Sequence, residues 1–205
     1  MSSPALKLLA LDAALNNIGY VLFNMPEFGV IEPVTAGLVQ QDVEKDKRMY
    51  VQEYNVRRVE QIYNEMTALL RRLEPDCMAM ELLSGSQSAQ TSFCFGMVTG
   101  VMGCLRAATG IPMQYINAGV VKKDFTGSKT ATKDAMLEQL LQLSPDFCDA
   151  FLPKNKRKTR GSSAFVRHGL LNEGEHIVDA FAIGYSAANS QATQDLFALR
   201  RSLDH

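Results

Sequence analysis

The chain has 205 residues, of which 46% are apolar and 21% charged, a balance that excludes a largely disordered protein. Its length suits one domain with a sizeable core. The formal net charge of −1 excludes a globally basic nucleic-acid binder, so a site for a polyanion has to come from local clustering. Cys77, Cys94, Cys104 and Cys148 are widely spaced and form no CxxC pair, which speaks against a zinc knuckle or a disulfide framework. They read as small buried hydrophobes in a reducing compartment. The N-terminal MSSPALKLLALDAALNN carries an apolar run too short for a signal peptide, and no stretch reads as the ~18–20 apolar residues of a membrane span. A cytoplasmic protein is expected.

Residues 6–13 read as a buried strand and residues 19–23, Gly-Tyr-Val-Leu-Phe, as a second. Leu15, Asn16 and Asn17 supply turn residues between them, so the two strands should form a hairpin. Residues 34–39 make a third strand. From 46 to 73 the period becomes helical: Val59, Ile62, Met66, Leu69, Leu70 and Leu73 share a stripe, with Arg57, Arg58, Arg71 and Arg72 outside it. Pro75 stands where such a helix stops. Residues 77–83 form a fourth strand, apolar apart from Glu81.

Residues 88–109 read as a largely buried helix in which Gly96, Gly100 and Gly103 permit close backbone approach. A short fifth strand at 113–116 and a helical turn at 118–124 follow. Residues 132–143 form a helix capped by Thr130 or Thr132, and a last helix runs from about 173 to 188. The order βββαβαβαα implies a mixed five-stranded sheet flanked by helices, an α/β single domain over residues 1–190, with a C-terminal tail at 191–205. The long segment 144–172 reads as a loop, either functional or disordered.

Three carboxylates require an explanation. Asp12 ends the run Leu8-Leu-Ala-Leu11, where an ionised group is costly unless paired or bound to a cation. Glu81 interrupts Met78-Ala-Met80 and Leu82-Leu83 inside a strand, a disfavoured place for Glu. His176 and Asp179 stand at i and i+3 on one face of the last helix, in HIVDAFAI. Each has a plain reading, as a turn-bonding Asp, a salt-bridged Glu and a polar helix face. Together they suit an oxygen-rich site for Mg²⁺ or Mn²⁺, with His176 beside the metal or carrying a proton. In two-metal sites the ions lie ~3.5–4 Å apart and clamp the attacking and leaving oxygens of a phosphodiester.

On these residues the chain resembles the RuvC-type Holliday-junction resolvases of the ribonuclease H-like superfamily. LALDAALNNIGYVLF resembles their first hairpin and CMAMELL their second catalytic strand. VKKDFTGSKTATK is similar to their basic DNA-facing segment, and HIVDAFAIG to their final catalytic helix in the variant with His three residues before Asp. The resemblance implies a ribonuclease H-like fold, a homodimer, and Asp12, Glu81, His176 and Asp179 around two divalent ions. It further implies paired nicking of four-way DNA junctions that leaves a 5′-phosphate and a 3′-hydroxyl. The chain departs from the usual pattern in two places. Asp12-Ala-Ala replaces the usual Asp-Pro-Gly, and Leu82-Leu-Ser-Gly-Ser86 stands where an aromatic residue is expected shortly after Glu81.

Lys122, Lys123, Lys129 and Lys133 cluster around Gly127. Residues 150–170 hold Lys154, Lys156, Arg157, Lys158, Arg160 and Arg167 with no acid among them. Such clusters supply the phosphate contacts that dominate nucleic-acid affinity, although a solvated lysine loop has the same composition. Ser84, Ser86, Gln87 and Ser88 are candidate neutral donors along a DNA path. The apolar surface of residues 88–109 serves either a dimer interface or the core. Three alternatives stand beside the resolvase: a relaxed branch or flap nuclease, a catalytically inactive DNA-binding module, and an actin-like or sugar-kinase-like ATPase. The ATPase would need two such domains and a glycine-rich loop after Asp12.

Overall fold

The computed structural model describes residues 5–82, 88–155 and 163–203. Strands β1 (Leu6–Ala13), β2 (Asn17–Met25) and β3 (Glu32–Gln40) form an antiparallel meander. β4 (Cys77–Leu82) and β5 (Met113–Asn117) then add in parallel beside β1, giving the sheet order β3-β2-β1-β4-β5. Antiparallel neighbours need only a short turn, whereas each parallel neighbour needs a crossover long enough for a helix. Here the crossovers are α1 (Val51–Leu73) and α2 (Ala89–Thr109). This is the mixed five-stranded sheet flanked by helices that the sequence pattern implied.

β1 lies mid-sheet with both faces covered, which explains why LKLLALDA has no polar alternation. Leu9 and Leu11 join Leu22, Met78 and Met80 beneath α1 and α2. Leu8 and Ala10 join Val21, Phe23 and Ala79 on the opposite face. That face is covered by α3 (Ala118–Thr126), α4 (Lys133–Leu143) and α7 (Glu175–Ala188). Thr132 caps α4 by accepting from the Ala135 amide, so it is Thr132 and not Thr130 that starts the helix. The embedding of α7 is tight: a Cβ on Gly184 would overlap the ring of Phe23, which stands edge-on to Phe181 at 5.2 Å.

The structure departs from the sequence reading in four places. Segment 144–172 is organised where it is described, by α5 (Pro145–Phe151), α6 (Ala164–Arg167) and an isolated bridge between Lys154 and Leu170. Residues 191–203, expected as a tail, form α8 (Gln191–Leu203). Thr193 and Phe197 are buried on that helix, and Leu196 packs against the core. The Thr193 hydroxyl donates to the Ala187 carbonyl at 2.7 Å and accepts from Gln114 Nε2 at 3.1 Å. The spacing of residues 193, 196 and 197 is helical but too short a signal to stand out in sequence.

The third departure is α2, which buries only Val98, Val101, Met102 and Leu105, while Phe93 is 52% exposed. A Cβ on Gly96, Gly100 or Gly103 would meet nothing within 4 Å, so these glycines serve no close packing among the described residues. Between α1 and α2 lies an apolar cleft of about 690 Å³, lined by Val56, Val59, Tyr63, Met97, Gly100 and Cys104 among others. By length and composition α2 is long and apolar enough to cross a membrane, contrary to the sequence reading, although one of its faces packs on the sheet. Finally, only Cys77 and Cys148 are buried; Cys94 is partly buried and Cys104 exposed, and all four are free thiols.

Candidate active site

Parallel pairing sets Leu11 opposite Met80, so the residues that follow them, Asp12 and Glu81, emerge side by side at the ends of β1 and β4. Leu11 and Met80 belong to the core beneath α1 and α2. Strand alternation therefore turns Asp12 and Glu81 to the other face, where α7 lies. His176 and Asp179 sit in the first two turns of that helix, one turn apart on the same side. The approach depends on Gly19, the antiparallel partner of Asp12. A Cβ there would overlap the His176 carbonyl group.

Within this arrangement His176 Nδ1 lies 2.6 Å from Asp12 Oδ2, with the two side chains 19% and 17% exposed. The hydrogen bond to Asp12 holds the imidazole pKa above its ordinary value; burial opposes this, and the charges of Asp12, Glu175 and Asp179 reinforce it. Burial raises the Glu81 carboxyl, the negative charge of Asp12 raises it further, and Lys122 offsets part of the effect. Asp179 is pushed well above the usual carboxylate range, first by burial and then by Asp12, with Lys133 opposing and Glu81 and Glu175 adding.

Three carboxylates from β1, β4 and α7 thus share one field with too little positive charge to balance it. Oxygen donors with one imidazole are the donor set of a hard divalent cation, so the chemistry of these residues fits Mg²⁺ or Mn²⁺. Among the described residues no three such side chains are gathered tightly enough to grip an ion as they stand; Asp12 instead bonds His176.

The cations divide into two groups. Lys122 lies one turn into α3, which begins where Asn117 ends β5 and caps the Gly119 amide at 2.9 Å, and its charge reaches Glu81. Lys133 reaches Asp179 electrostatically but is held by Glu175 at 2.6 Å. Lys123 and Lys129 are exposed. Lys154 pairs with Asp149 at 3.2 Å, an acid just upstream of the acid-free stretch. Arg167 is likewise neutralised, by Glu138 at 3.3 Å and Asp134 at 3.6 Å. Lys156, Arg157, Lys158 and Arg160, with Ser84, Ser86 and Gln87, lie outside the described residues. Glu175 was missed in the sequence reading; its position immediately before the His-x-x-Asp pair was the available signal.

Comparison with known proteins gives a consistent picture. A model of the family described as crossover junction endodeoxyribonuclease RuvC matches residues 8–150. Among curated relatives, the protein of that name from Syntrophomonas wolfei is 28% identical over 143 residues, 67% of this chain and 77% of the relative. The one from Magnetococcus marinus is 32% identical over 121 residues, 58% of this chain and 66% of the relative. Other relatives of that name are matched over about half their length, 53% and 51% in two cases. Among solved structures, Thermus thermophilus RuvC in complex with a Holliday junction substrate superposes with a TM-score of 0.62 at 17% identity, covering 89% of this chain and 93% of that one. The yeast mitochondrial Holliday junction resolvase superposes with a TM-score of 0.60 at 11% identity, covering 99% and 86%.

Proposed function

The chain belongs to the RuvC family of crossover junction endodeoxyribonucleases, and from that premise we propose that it is a metal-dependent endonuclease that nicks four-way DNA junctions in pairs. One observation carries the site assignment: Asp12, Glu81 and Asp179 lie within each other's field, and burial together with that repulsion raises Glu81 and Asp179. These carboxylates, with His176, would hold two divalent ions, Mg²⁺ or Mn²⁺. Bound there, such ions would supply Lewis acidity toward the phosphodiester and acidify a water molecule.

The chain's own residues do the rest. Asp12 fixes the His176 ring through Nδ1, leaving Nε2 either to complete the ion site or to orient the attacking water. Lys122 faces the phosphate oxygens from beside Glu81, and Lys133, once free of Glu175, adds a second cation. Water attacks phosphorus, the bond to O3′ breaks, and the products are a 5′-phosphate and a 3′-hydroxyl.

A two-fold homodimer suits a four-way junction because it sets two sites against symmetric strands. The reading is supported by α2, whose open glycines and adjoining apolar cleft leave an apolar face uncovered. The expected setting is the cytoplasm of a bacterium or of a virus-infected cell.

The test is cleavage of a labelled four-way junction in Mg²⁺ by the wild type, Asp12→Asn and Glu81→Gln. Symmetric paired nicks, lost in both variants while binding persists, are expected. Equal cleavage of flaps and forks would favour a relaxed branch nuclease. Binding without cleavage in either metal would leave a DNA-binding module.

A further inference from the structure

The sheet face opposite α7 carries a buried cation with neutral partners. Arg58, two turns into α1, is 8% exposed. Its Nε donates to Gln41 Oε1 at 2.5 Å, its Nη2 donates to Asn16 Oδ1, and its guanidinium lies 5.2 Å from the centre of the Tyr54 ring. Gln41 closes the ring of contacts: its Nε2 donates to the Arg58 carbonyl at 3.3 Å and its backbone amide donates to the Asn16 carbonyl at 3.1 Å. One helical turn further along, Gln61 Nε2 donates to Asp42 Oδ1 at 2.6 Å and Gln61 Oε1 accepts from the Asp42 amide. The residues that follow β3 are thereby stitched twice to α1, and the first stitch includes the β1–β2 turn.

That turn belongs to the hairpin bearing Asp12. Asn16 is four positions beyond Asp12, and the Ala14 amide donates to the Asn17 carbonyl to close the loop. The same hairpin presents Gly19, on whose bare backbone His176 is seated. A shift of the turn would therefore move Asp12 and the seat of His176 together. A buried guanidinium needs its donors satisfied, and the rigid fork of Arg can reach two acceptors on different segments at once, which Lys cannot do.

We infer that Arg58 is a positioning residue for the cleavage reaction: through Asn16 and Gln41 it locks the β1–β2 turn and holds Asp12 and His176 in register with Glu81 and Asp179. This rests on the nuclease reading above. It adds to that reading a residue on the far face of the sheet that touches neither substrate nor metal.

The experiment uses the full chain and compares the wild type with Arg58→Met, Arg58→Lys, Asn16→Ala and the Asn16→Ala/Arg58→Met pair. Cleavage rate at saturating junction, junction Kd in EDTA, Mn²⁺ half-saturation by calorimetry and Tm are measured. A misplacement of about 1 Å costs on the order of 10²-fold in rate, so a fall of that order is expected in Arg58→Met, with junction Kd within about twofold. Loss of a supporting partner weakens a metal by roughly 10–100-fold, so Mn²⁺ half-saturation should rise by at least the lower figure. Arg58→Lys should behave like Arg58→Met, which keeps the test open if the apolar variant folds poorly. The double variant should be no worse than the worse single one, because both break one ring.

A lowered Tm with unchanged rate and Mn²⁺ affinity would overturn the inference in favour of a merely structural role. A weakened junction Kd with unchanged saturating rate would overturn it in favour of a phosphate contact. If the wild type cuts no branched DNA, the nuclease reading fails and with it the role in cleavage; the Mn²⁺ titration then decides only whether Arg58 positions Asp12 and His176, weaker binding in Arg58→Met upholding this and equal binding rejecting it.

Discussion

His176 Nδ1 lies 2.6 Å from Asp12 Oδ2, a contact between residues 164 positions apart that ties the last sheet-covering helix to the first strand. Asp12→Asn weakens the hydrogen bond that chiefly raises the imidazole pKa and removes the charge that reinforces it. In metal-free protein His176 should titrate above its ordinary value, and in Asp12→Asn it should titrate lower. NMR of the ring protons against pH checks this; equal titration in both proteins would show that the bond does not persist in solution.

Gly19 is a steric requirement of the same contact. Gly19→Ala should push the start of α7 away from the hairpin, costing about 1–3 kcal/mol as other overpacking changes do and abolishing most cleavage. Urea unfolding and single-turnover rates measure the two effects. Wild-type behaviour in both would mean that α7 relaxes at little cost.

Asp179 provides a pH test without DNA. Its carboxyl is pushed up to about 7 from 3.8, so across that window the metal-free folded state binds more protons than the unfolded state does. Stability from this group is complete below about pH 4 and is lost as pH rises toward 7. Relative to Asp179→Asn, the Tm of metal-free wild type should fall over that interval. Mn²⁺ should restore it increasingly at higher pH, because the metal competes with the proton. Asp179→Asn should flatten both trends; an unchanged slope would place their origin elsewhere.

The lysines should not contribute equally. Lys122→Ala and Lys129→Ala should each reduce the salt dependence of junction binding by about one unit. Lys154→Ala should change it less, since Asp149 already neutralises that charge. Glu175→Gln should tighten junction binding by freeing Lys133. Fluorescence anisotropy between low and moderate salt separates these cases, and an equal slope change for Lys154 would show that its ion pair yields to DNA.

On α2, Gly100→Glu should leave the fold intact, because a Cβ there meets nothing within 4 Å. It should nevertheless convert a dimer to a monomer, as read by sedimentation. A dimer that survives the charge would place the two-fold contact off this face.

Much of this protein is written locally in its chain. The short continuous apolar runs of β1 and β4 and the 3.6-residue stripe of Ile62, Met66, Leu69 and Leu70 set strand and helix, because run length and period act over a few neighbours. Asp12 and Glu81 were legible for a related reason: a carboxylate inside an apolar strand is costly, so its presence asks for a partner. The identity of each partner was not legible. That Lys133 meets Glu175, that Arg58 binds two amides, and that the glycines of α2 face open space are matters of distance between remote segments. Periodicity says which face of an element is apolar, but only the packed fold says what stands opposite it. The sequence by itself determined the five strands, the helices with a long apolar stripe and the acids proposed to line the candidate site. The tertiary structure decided which charges are free, which are paired and which surface remains uncovered, because pairing depends on through-space separation that no local pattern encodes.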